Sequence, residues 1–293
     1  MKATAASKTA QYMALFRALE YGRPAYQRLF TDPYAFSFLS GGLKMATRLS
    51  GIPFVRNIIR GIIQRKIPGA YSSGLARTRY IDDLLESTVS QGVQQVIILG
   101  AGFDTRGIRL PFLKPLKVIE VDHPNTAKEK MAIVAQQLGK LPEHITYYQL
   151  DFNQQTLDAF SFDFSLPTTI IWEGVTNYLD AAAIDATFAF ASRFAPGSFV
   201  IFTYVHQGVL NTPEQFFGAE KLLKDLEQIE ERWTFGFAPE QLPAYLAKYH
   251  LELKEDLGAE DYRKRYIPER AEKGYEFYRV AMAASNSILS FHT

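Results

Sequence analysis

The chain has 293 residues, 47% of them apolar, a formal net charge of +1 and no cysteine. A chain of this length can form one large domain or two small ones. The absence of cysteine excludes disulfides, thiolate catalysis and cysteine metal sites, and the small net charge gives no indication of affinity for nucleic acid or acidic membranes. Residues 1–24 have no apolar core long enough for a secretory signal, and no run reaches the roughly 18 apolar residues of a spanning helix. We therefore expect a cytoplasmic protein with neither nucleic acid nor membrane among its partners.

The first 70 residues are predicted to be helical, with breaks at the turn sequences GRP, TDP, SGG and GIP. A longer helix follows over residues 71–92, where a serine can cap the first turn. Its apolar face is formed by Leu75, Tyr80, Ile81, Leu84 and Leu85. We interpret residues 1–70 as a helical cap that precedes the main fold.

Strands and helices then alternate along the chain. Five short apolar runs are typical of buried strands, at residues 93–99, 116–121, 145–150, 168–173 and 198–205. Helical patterns occur between them at residues 125–139 and 180–194. This order of elements predicts a parallel sheet with helices on both faces and right-handed crossovers.

After residue 205 the pattern changes. Residues 206–247 contain helical patterns, and two late strands follow over 250–257 and 275–285. We therefore predict an α/β fold with a seven-stranded, mostly parallel sheet and an antiparallel edge strand. No Pro/Gly/Ser linker divides the chain, so we expect a single domain over residues 1–293. Its expected parts are a cap at 1–70, a cofactor-binding core at 71–205, a helical lid inserted after strand 5 at 206–247, and terminal strands at 248–293.

The turn after the first strand, ILGAGFDTR, lies where ligands bind in an open parallel sheet, at the carboxyl end of a strand. Gly100 and Gly102 would let the backbone come close to a ligand. A dinucleotide fingerprint has a third glycine where this chain has Thr105, which puts the usual pyrophosphate seat in doubt. Two glycines alone are also compatible with an ordinary tight turn.

Acidic residues end the next two strands. Glu120 and Asp122 stand about 20 residues after the glycine loop, where a carboxylate can accept both ribose hydroxyls of a nucleoside. Asp151 can accept a hydrogen bond from an adenine amine, with Phe152 beside the ring. Each aspartate could instead cap a helix. A ribose acid and an adenine acid without the pyrophosphate fingerprint favour adenosine without a diphosphate, which indicates S-adenosyl-L-methionine as the cofactor.

Five motifs in order along the chain, GLARTRYIDDLL, VIILGAGFDTRGIRL, IEVDHP, LDF and IIWEGVTNYL, resemble those of the leucine carboxyl methyltransferase family. The resemblance runs from about Phe16 to about Val205. This family includes the enzyme that methylates the C-terminal leucine carboxylate of a phosphatase catalytic subunit, and many bacterial O-methyltransferases, which this chain resembles more. The resemblance implies a Rossmann-like class I methyltransferase fold.

The resemblance also implies roles for individual residues. Arg77 would bind the cofactor's carboxylate, because a planar guanidinium can hold it with two hydrogen bonds. Glu173, just beyond the fourth strand, would receive the cofactor's ammonium group, and Arg17 would add a second carboxylate contact. The other implied contacts are Gly100, Ala101, Gly102 and Asp104 for the methionine portion, Asp122 or less favourably Glu120 for the ribose, and Asp151 with Phe152 for adenine. Without the motifs, Arg77 would be a solvated helix arginine and Glu173 a satisfied acid at a strand end.

The acceptor decides whether a general base is needed. A carboxylate is ionised near neutral pH and needs none, whereas a phenol or alcohol usually does. We predict O-methylation of a carboxylate on a small-molecule metabolite, with Arg77 among the catalytic residues. The alternative is a hydroxyl acceptor, with His206 as its base and with Tyr204 or Tyr178 orienting the acceptor oxygen. Structural roles are open for all three of these residues.

Other functions are less favoured. One is methylation of a protein C-terminus, and another is a cofactor-binding module without catalysis. A third is a nicotinamide-dependent oxidoreductase, which the threonine at position 105 makes less favoured. The sequence has no His/Asp cluster with metal-ligand spacing, so no metal is expected. Aromatic residues of the cap and lid could line an apolar acceptor pocket or simply fill the core of the helical layer: Phe36, Phe38, Phe216, Phe217, Trp233, Phe235 and Phe237.

Overall fold

A single seven-stranded sheet runs through the computed structural model of the chain, which describes residues 8–151, 155–269 and 272–285. The strands, in chain order, are β1 (Gln95–Leu99), β2 (Lys117–Asp122), β3 (Ile145–Gln149), β4 (Thr168–Trp172), β5 (Phe199–Val205), β6 (Leu251–Gly258) and β7 (Tyr278–Ser285). Their order in space is β3-β2-β1-β4-β5-β7-β6. All seven strands predicted from the sequence are present.

Pairing is parallel from β3 to β5 and antiparallel around β7. β7 lies between β5 and the outermost strand β6 and is antiparallel to both, so the predicted antiparallel edge is confirmed. Every residue of β1, β4 and β5 is buried, as expected for central strands covered on both faces. The strand order reverses between β1 and β4, and the crevice at their carboxyl ends is where an open α/β sheet binds its ligand.

Helices surround the sheet. Those of the described residues are α1 (Lys8–Tyr21), α2 (Gly41–Leu49), α3 (Pro53–Lys66), α4 (Ala70–Ser90), α5 (Arg106–Arg109), α6 (Pro124–Leu138), α7 (Ala181–Ala191), α8 (Gly208–Asn211), α9 (Ala219–Gln228), α10 (Leu242–Ala247) and α11 (Ala259–Tyr266). Local sequence explains some of these ends. Pro124 begins α6, and Gly139 ends it with a φ of 79°.

Successive strand residues pack into different layers because their side chains point to opposite faces of the sheet. Ile97 of β1 faces a layer that contains Phe188 of α7, whereas Ile98 faces a layer that contains Leu85 of α4. In a third cluster, the cap cluster, α1 packs against Phe103 in the loop after β1. The N-terminal helix therefore rests directly on the loop that the sequence predicts to bind a ligand.

Candidate cofactor site

The loop after β1 has glycine at two positions for different reasons. Gly100 and Gly102 have φ values of 64° and 45°, in the left-handed region. A Cβ atom at Gly100 would overlap Val175 Cγ2, whereas one at Gly102 would come no nearer than 3.6 Å to Ala10 Cβ. Between them Ala101 is buried, and its N–H donates to a carbonyl oxygen of β2 at 3.1 Å. Gly100 thus serves close packing, and Gly102 is where a ligand could approach the backbone.

Thr105 occupies the position of the third glycine in a dinucleotide fingerprint. It is buried, and its Oγ1 donates to Asp32 Oδ2 at 2.7 Å. The helix that follows, α5, has only four residues. Dinucleotide sites use the N-terminus of a longer helix at this point to hold pyrophosphate. The local structure therefore agrees with the sequence argument against a dinucleotide.

Arg17 is already engaged by groups of the protein. Its Nε donates to Asp32 Oδ2 at 2.9 Å, and its Nη2 donates to the carbonyl oxygen of Phe103. The Asp32 carboxylate also accepts the backbone N–H groups of Tyr34 and Ala35, both at 3.1 Å. These hydrogen bonds tie the glycine loop to the segment after α1, and the contact of Arg17 with a cofactor carboxylate stays a prediction.

Asp122 ends β2 beside the glycine loop. One carboxylate oxygen accepts the N–H of Gly102, and the other accepts the N–H of His123 at 2.6 Å. An ionised carboxylate has about four acceptor positions, so each oxygen keeps capacity for one more donor. The other candidate, Glu120, is buried with its Oε2 2.6 Å from Lys130 Nζ. Between the two acids, the geometry favours Asp122 for the ribose.

The carboxyl ends of β1 and β4 carry a network of buried ion pairs. Arg77 of α4 donates from Nε to Glu173 Oε1 at 2.8 Å, and Arg106 donates from Nη1 to Glu173 Oε2 at 2.7 Å. Arg106 also donates to Asp104 Oδ2 at 2.5 Å and to Asp82 Oδ1 at 2.8 Å. The structure thus brings together three predicted residues, Arg77, Asp104 and Glu173, through Arg106.

The network is balanced in charge. Arg109 also donates to Asp82, at 2.8 Å. The members are therefore the arginines 77, 106 and 109 and the acids 82, 104 and 173. Burial alone would raise the pKa of Glu173, but Arg106 and Arg77 hold it below its ordinary value. Burial is likewise outweighed at Asp104, whose pKa is lowered chiefly by Arg106. Both acids are therefore ionised. A zwitterion, which has no net charge of its own, could bind beside them without adding net buried charge.

Arg77 keeps hydrogen-bonding capacity. Its side chain is 5% exposed, and beyond Glu173 it meets a sulfur atom and an aromatic ring among the described residues. Nη2 donates to Met13 Sδ at 3.3 Å, and the guanidinium lies 4.6 Å from the ring centre of Tyr278. A thioether is a weak acceptor, and a carboxylate would be the stronger partner for the same nitrogen. The predicted binding of a carboxylate by Arg77 is therefore physically available.

The predicted adenine contacts lie at the third strand end. Asp151 stands two residues beyond β3, is half-buried, and accepts the N–H of Gln155 at its carbonyl oxygen at 2.9 Å. It lies at the same edge of the sheet as Asp122, because β2 and β3 are parallel neighbours. Phe152 lies outside the described residues. The adenine contact of these two residues stays a prediction.

Tyr204 lies on the opposite face of the sheet from Arg77. It pairs across strands with Arg279, whereas the preceding residue of β7, Tyr278, points to the other face and meets Arg77. The Tyr204 hydroxyl donates to Asp256 Oδ2 at 2.6 Å and accepts from Arg279 Nε at 2.9 Å. Burial raises its pKa. These contacts give the Tyr204 hydroxyl structural partners, and its role towards an acceptor stays a prediction.

His206 follows β5 and has one ring nitrogen engaged. Nδ1 accepts the N–H of Gly208 at 3.0 Å, and the ring centre lies 5.4 Å from that of Phe216. A neutral imidazole that accepts at Nδ1 carries its proton on Nε2. In that tautomer neither ring nitrogen has a free lone pair for a substrate proton. The geometry therefore argues against His206 as the general base.

The aromatic residues of the cap and lid divide among several clusters. Phe36 and Phe38 lie in the cap cluster, Phe235 and Phe237 on the sheet face of Tyr204, Phe216 and Trp233 beside α9, and Phe217 is exposed. The seven residues therefore do not share one cluster, and the apolar acceptor pocket stays a prediction. The cluster of Trp233 includes Tyr278 and so reaches the ion-pair network. Tyr178 borders that cluster, and burial raises its pKa to about 12.

Sequence reasoning missed Arg106 and Asp82, although both stand in the quoted motifs. Arg106 follows the glycine loop as the first residue of the short helix α5, and Asp82 lies between the apolar residues Ile81 and Leu84 of α4. A charge enclosed by core residues needs a partner, because burying it alone is costly. That rule, applied to the two motifs together, is a signal in the sequence that could have paired the two residues.

The profile of a known family matches most of this region. The family described as leucine carboxyl methyltransferase matches residues 10–192. That range contains α4, the strands β1 to β4 and the whole ion-pair network. It also contains every residue that the sequence predicts to bind the cofactor.

Two relatives extend the similarity. A Streptomyces coelicolor protein, provisionally named the S-adenosyl-L-methionine-dependent methyltransferase SCO7813, is 32% identical over 207 residues, which cover 69% of this chain and 70% of that protein. A Mycobacteroides abscessus protein, provisionally named an S-adenosyl-L-methionine-dependent methyltransferase, is 34% identical over 205 residues, which cover 67% of this chain and 66% of that protein. The matched region thus spans about two thirds of these relatives.

Two solved structures share the fold. The crystal structure of a DUF574 family protein from Streptomyces avermitilis has a TM-score of 0.59 and 13% identity, and covers 96% of this chain and 98% of that one. The crystal structure of a protein from Thermobifida fusca, provisionally titled a methyltransferase, has a TM-score of 0.54 and 17% identity, and covers 80% of this chain and 89% of that one. At such identities the likeness concerns the fold alone, and it agrees with a Rossmann-like sheet that ends in an antiparallel edge.

Proposed function

This chain is a member of the leucine carboxyl methyltransferase family, and we propose that it is an S-adenosyl-L-methionine-dependent O-methyltransferase acting on a carboxylate of a small molecule. Family membership supports the reaction class and the cofactor. The named relatives support it as well, through the activity that their names state. The choice of acceptor rests on the geometry of the described residues.

The residues at the carboxyl ends of β1, β2 and β4 fit the cofactor. Arg77 has terminal nitrogens for a carboxylate, and ionised Glu173 can attract an ammonium group. Asp122 retains one acceptor position on each oxygen for the two ribose hydroxyls. The balanced charge of the network favours the zwitterionic methionine moiety over a pyrophosphate, which would add negative charge beside three carboxylates.

The carboxylate acceptor is supported by one observation: the candidate base His206 has a ring nitrogen engaged, and the two tyrosines considered beside it are protonated. His206 accepts a backbone N–H at Nδ1. Burial raises the pKa of Tyr178 and Tyr204, so both hydroxyls stay protonated at neutral pH. When bound, S-adenosyl-L-methionine would supply an electrophilic methyl group on its sulfonium, and a carboxylate could accept it without the transfer of a proton. An acceptor that is already ionised therefore suits this site.

The cofactor is tested first by calorimetry. The purified protein is titrated with S-adenosyl-L-methionine, S-adenosylhomocysteine and NAD in parallel. We expect binding of the first two and none of NAD. Binding of NAD alone would overturn the proposal, because the glycine loop would then be a degenerate dinucleotide site.

The acceptor is tested by the chemistry of the product. The protein is incubated with methyl-labelled S-adenosyl-L-methionine and a panel of aliphatic and aromatic carboxylic acids and phenols. Methyl esters release labelled methanol in mild alkali, whereas methyl ethers do not. We expect base-labile label from the acids. Base-stable label from the phenols, lost in the variant His206→Ala, would favour the hydroxyl alternative instead.

A further inference from the structure

Helices α2 and α3 and the turn between them expose several large apolar side chains. The set comprises Met45, Leu49, Ile52, Phe54, Ile58 and Ile62, which are 46% to 73% exposed. They are six of the nine large apolar side chains that are exposed in the described part of the chain. Such residues scattered singly would need no explanation, but a concentration on two neighbouring helices does. We call this surface the α2–α3 patch.

The pattern on α3 gives its outer side an apolar stripe from Phe54 to Ile62. Ile59 and Ile63 point inward and pack against the cap cluster, which accounts for one side of the helix. Phe54, Ile58 and Ile62 recur every four residues and form a separate stripe on the outer side. A helix that only covers a protein core carries polar residues along such a stripe.

The charged residues on the two helices of the patch are all cations. Residues 33–81 contain eight Lys and Arg and no Asp or Glu. Six of these cations lie on the two helices: Lys44, Arg48, Arg56, Arg60, Arg65 and Lys66. Arg60 approaches Glu272 at 3.8 Å, and the other five have no ion pair within the described ranges. The expectation of no membrane partner rested on the net charge of +1 for the whole chain, which conceals this local concentration.

We infer that the α2–α3 patch binds the surface of a membrane that contains anionic lipid. Apolar side chains flanked by cations are what such a surface selects, because the apolar groups enter the boundary of the acyl chains and the cations meet the headgroups. α3 has 14 residues, and at about 1.5 Å per residue it is too short to cross a bilayer. None of the helices that the structure describes is long and apolar enough to cross one. The helix would therefore lie in the plane of the interface.

Charge also argues against a second copy of the chain as the occupant. A symmetric dimer through this patch would place the patch against itself. Arg48 and Arg65, both exposed, would then face further cations, with no acid on either helix to offset them. An anionic lipid surface satisfies the same cations.

The inference is tested by co-sedimentation of the full chain with lipid vesicles. One set contains phosphatidylcholine alone, and the other contains phosphatidylcholine with roughly a third of phosphatidylglycerol, so that only the second is anionic. We expect binding to the second set, weakened by high salt because exposed charges are screened. The variant Phe54→Gln/Ile58→Gln/Ile62→Gln is expected to bind at least about tenfold more weakly, since it removes the apolar stripe while keeping helix propensity.

Matched controls separate the two contributions of the patch. Arg48→Gln/Arg65→Gln should weaken binding to the anionic vesicles. Lys117→Gln/Lys264→Gln, which removes the same charge from side chains 63% and 70% exposed elsewhere, should not. Calorimetry with S-adenosylhomocysteine and a thermal melt check that each variant is folded.

Three results would overturn the inference. The first is no sedimentation with either set of vesicles. The second is equal binding to both sets at all salt concentrations. The third is a dimer in light scattering that the triple glutamine variant abolishes while vesicle binding is absent, which would make a second copy the occupant.

Discussion

Two clusters of arginine, acid and tyrosine lie on opposite faces of the same part of the sheet. On one face Arg77 bonds Glu173 and lies over Tyr278. On the other face Arg279 bonds Asp256 and Tyr204. Tyr278 and Arg279 are neighbours in β7, and the alternation of the strand sends them to different faces. The two clusters have the same kinds of residue, but their hydrogen bonds are distributed differently.

The two clusters differ in the strength of the partners that their arginines already have. In the second cluster the three groups close on one another: the tyrosine donates to the acid at 2.6 Å, and Arg279 Nε lies 2.9 Å from the tyrosine and 3.0 Å from the acid. In the first cluster a terminal nitrogen of Arg77 donates to the thioether of Met13, which is a weak acceptor. A weak partner is easily replaced, so residue types alone do not identify a site; the partners that they already have must be known.

The largest expected effect comes from Arg106→Met, which removes the centre of the first network. Arg106 is 3% exposed and serves three carboxylates. Removing one partner of buried ion pairs typically costs about 3–5 kcal/mol of stability. We expect a loss of that size in the free energy of unfolding, measured by urea denaturation. Arg279→Met is the matched change on the other face, and it should cost less, because its side chain is 22% exposed and serves one carboxylate. Equal losses would contradict the comparison.

A smaller effect is expected for Arg77→Ala, which should weaken the binding of S-adenosyl-L-methionine. Loss of a hydrogen bond to a charged group costs about 1.5–3 kcal/mol, which corresponds to roughly 10- to 150-fold in affinity. Calorimetry measures the change. Arg279→Ala is the control, and its affinity should match the wild type, because Arg279 lies on the other face. An unchanged affinity in the Arg77 variant would remove that residue from the cofactor site.

The fold and the position of the site follow from local patterns that a sequence displays. Buried runs predicted the strands, and glycine at positions 100 and 102 predicted a tight turn, in which both residues have positive φ. Asp122 stands at a strand end that any parallel sheet would bring beside that turn. These predictions needed only the period of each element and the rule that parallel carboxyl ends share an edge.

The roles of other residues depended on contacts between distant parts of the chain. Tyr204 was predicted to be catalytic because it stands near a strand end, but a one-residue step along β5 decides its face. Arg17 was expected at the cofactor, and only the folded chain brings Asp32 and the carbonyl of Phe103 to it. Arg106 was overlooked because its three carboxylate partners come from three different segments.

Lowering the pH should reduce the stability that Glu173 and Asp104 of the first cluster contribute. The variants Glu173→Gln and Asp104→Asn measure that contribution. The pKa of Glu173 is lowered in the folded protein, so the unfolded chain binds its proton more readily. The stability contributed by Glu173 is therefore present above its ordinary pKa of 4.5 and is lost as the pH falls towards its lower folded value. We expect the free energy of unfolding to fall more for the wild type than for Glu173→Gln between about pH 7 and pH 4. The free energy of unfolding of Asp104→Asn should likewise depend less on pH than that of the wild type. Parallel profiles for wild type and both variants, measured by urea denaturation, would contradict the assignment.

The smallest expected effects come from changes at Tyr204 and Tyr278, the tyrosines of the two clusters. Tyr204→Phe removes a hydroxyl that both donates and accepts within a closed cluster, so it should lower the free energy of unfolding by about 1 kcal/mol and leave cofactor affinity unchanged.

Tyr278→Phe keeps the ring beneath Arg77 and removes a hydroxyl 3.2 Å from Thr203 Oγ1. Its cofactor affinity should also hold, because the ring face and not the hydroxyl meets the guanidinium. Tyr278→Leu removes that face and should weaken binding several-fold through Arg77. If Tyr204→Phe weakened binding and Tyr278→Leu did not, the site would lie on the other face of the sheet, and the cluster around Arg279 would be the functional one.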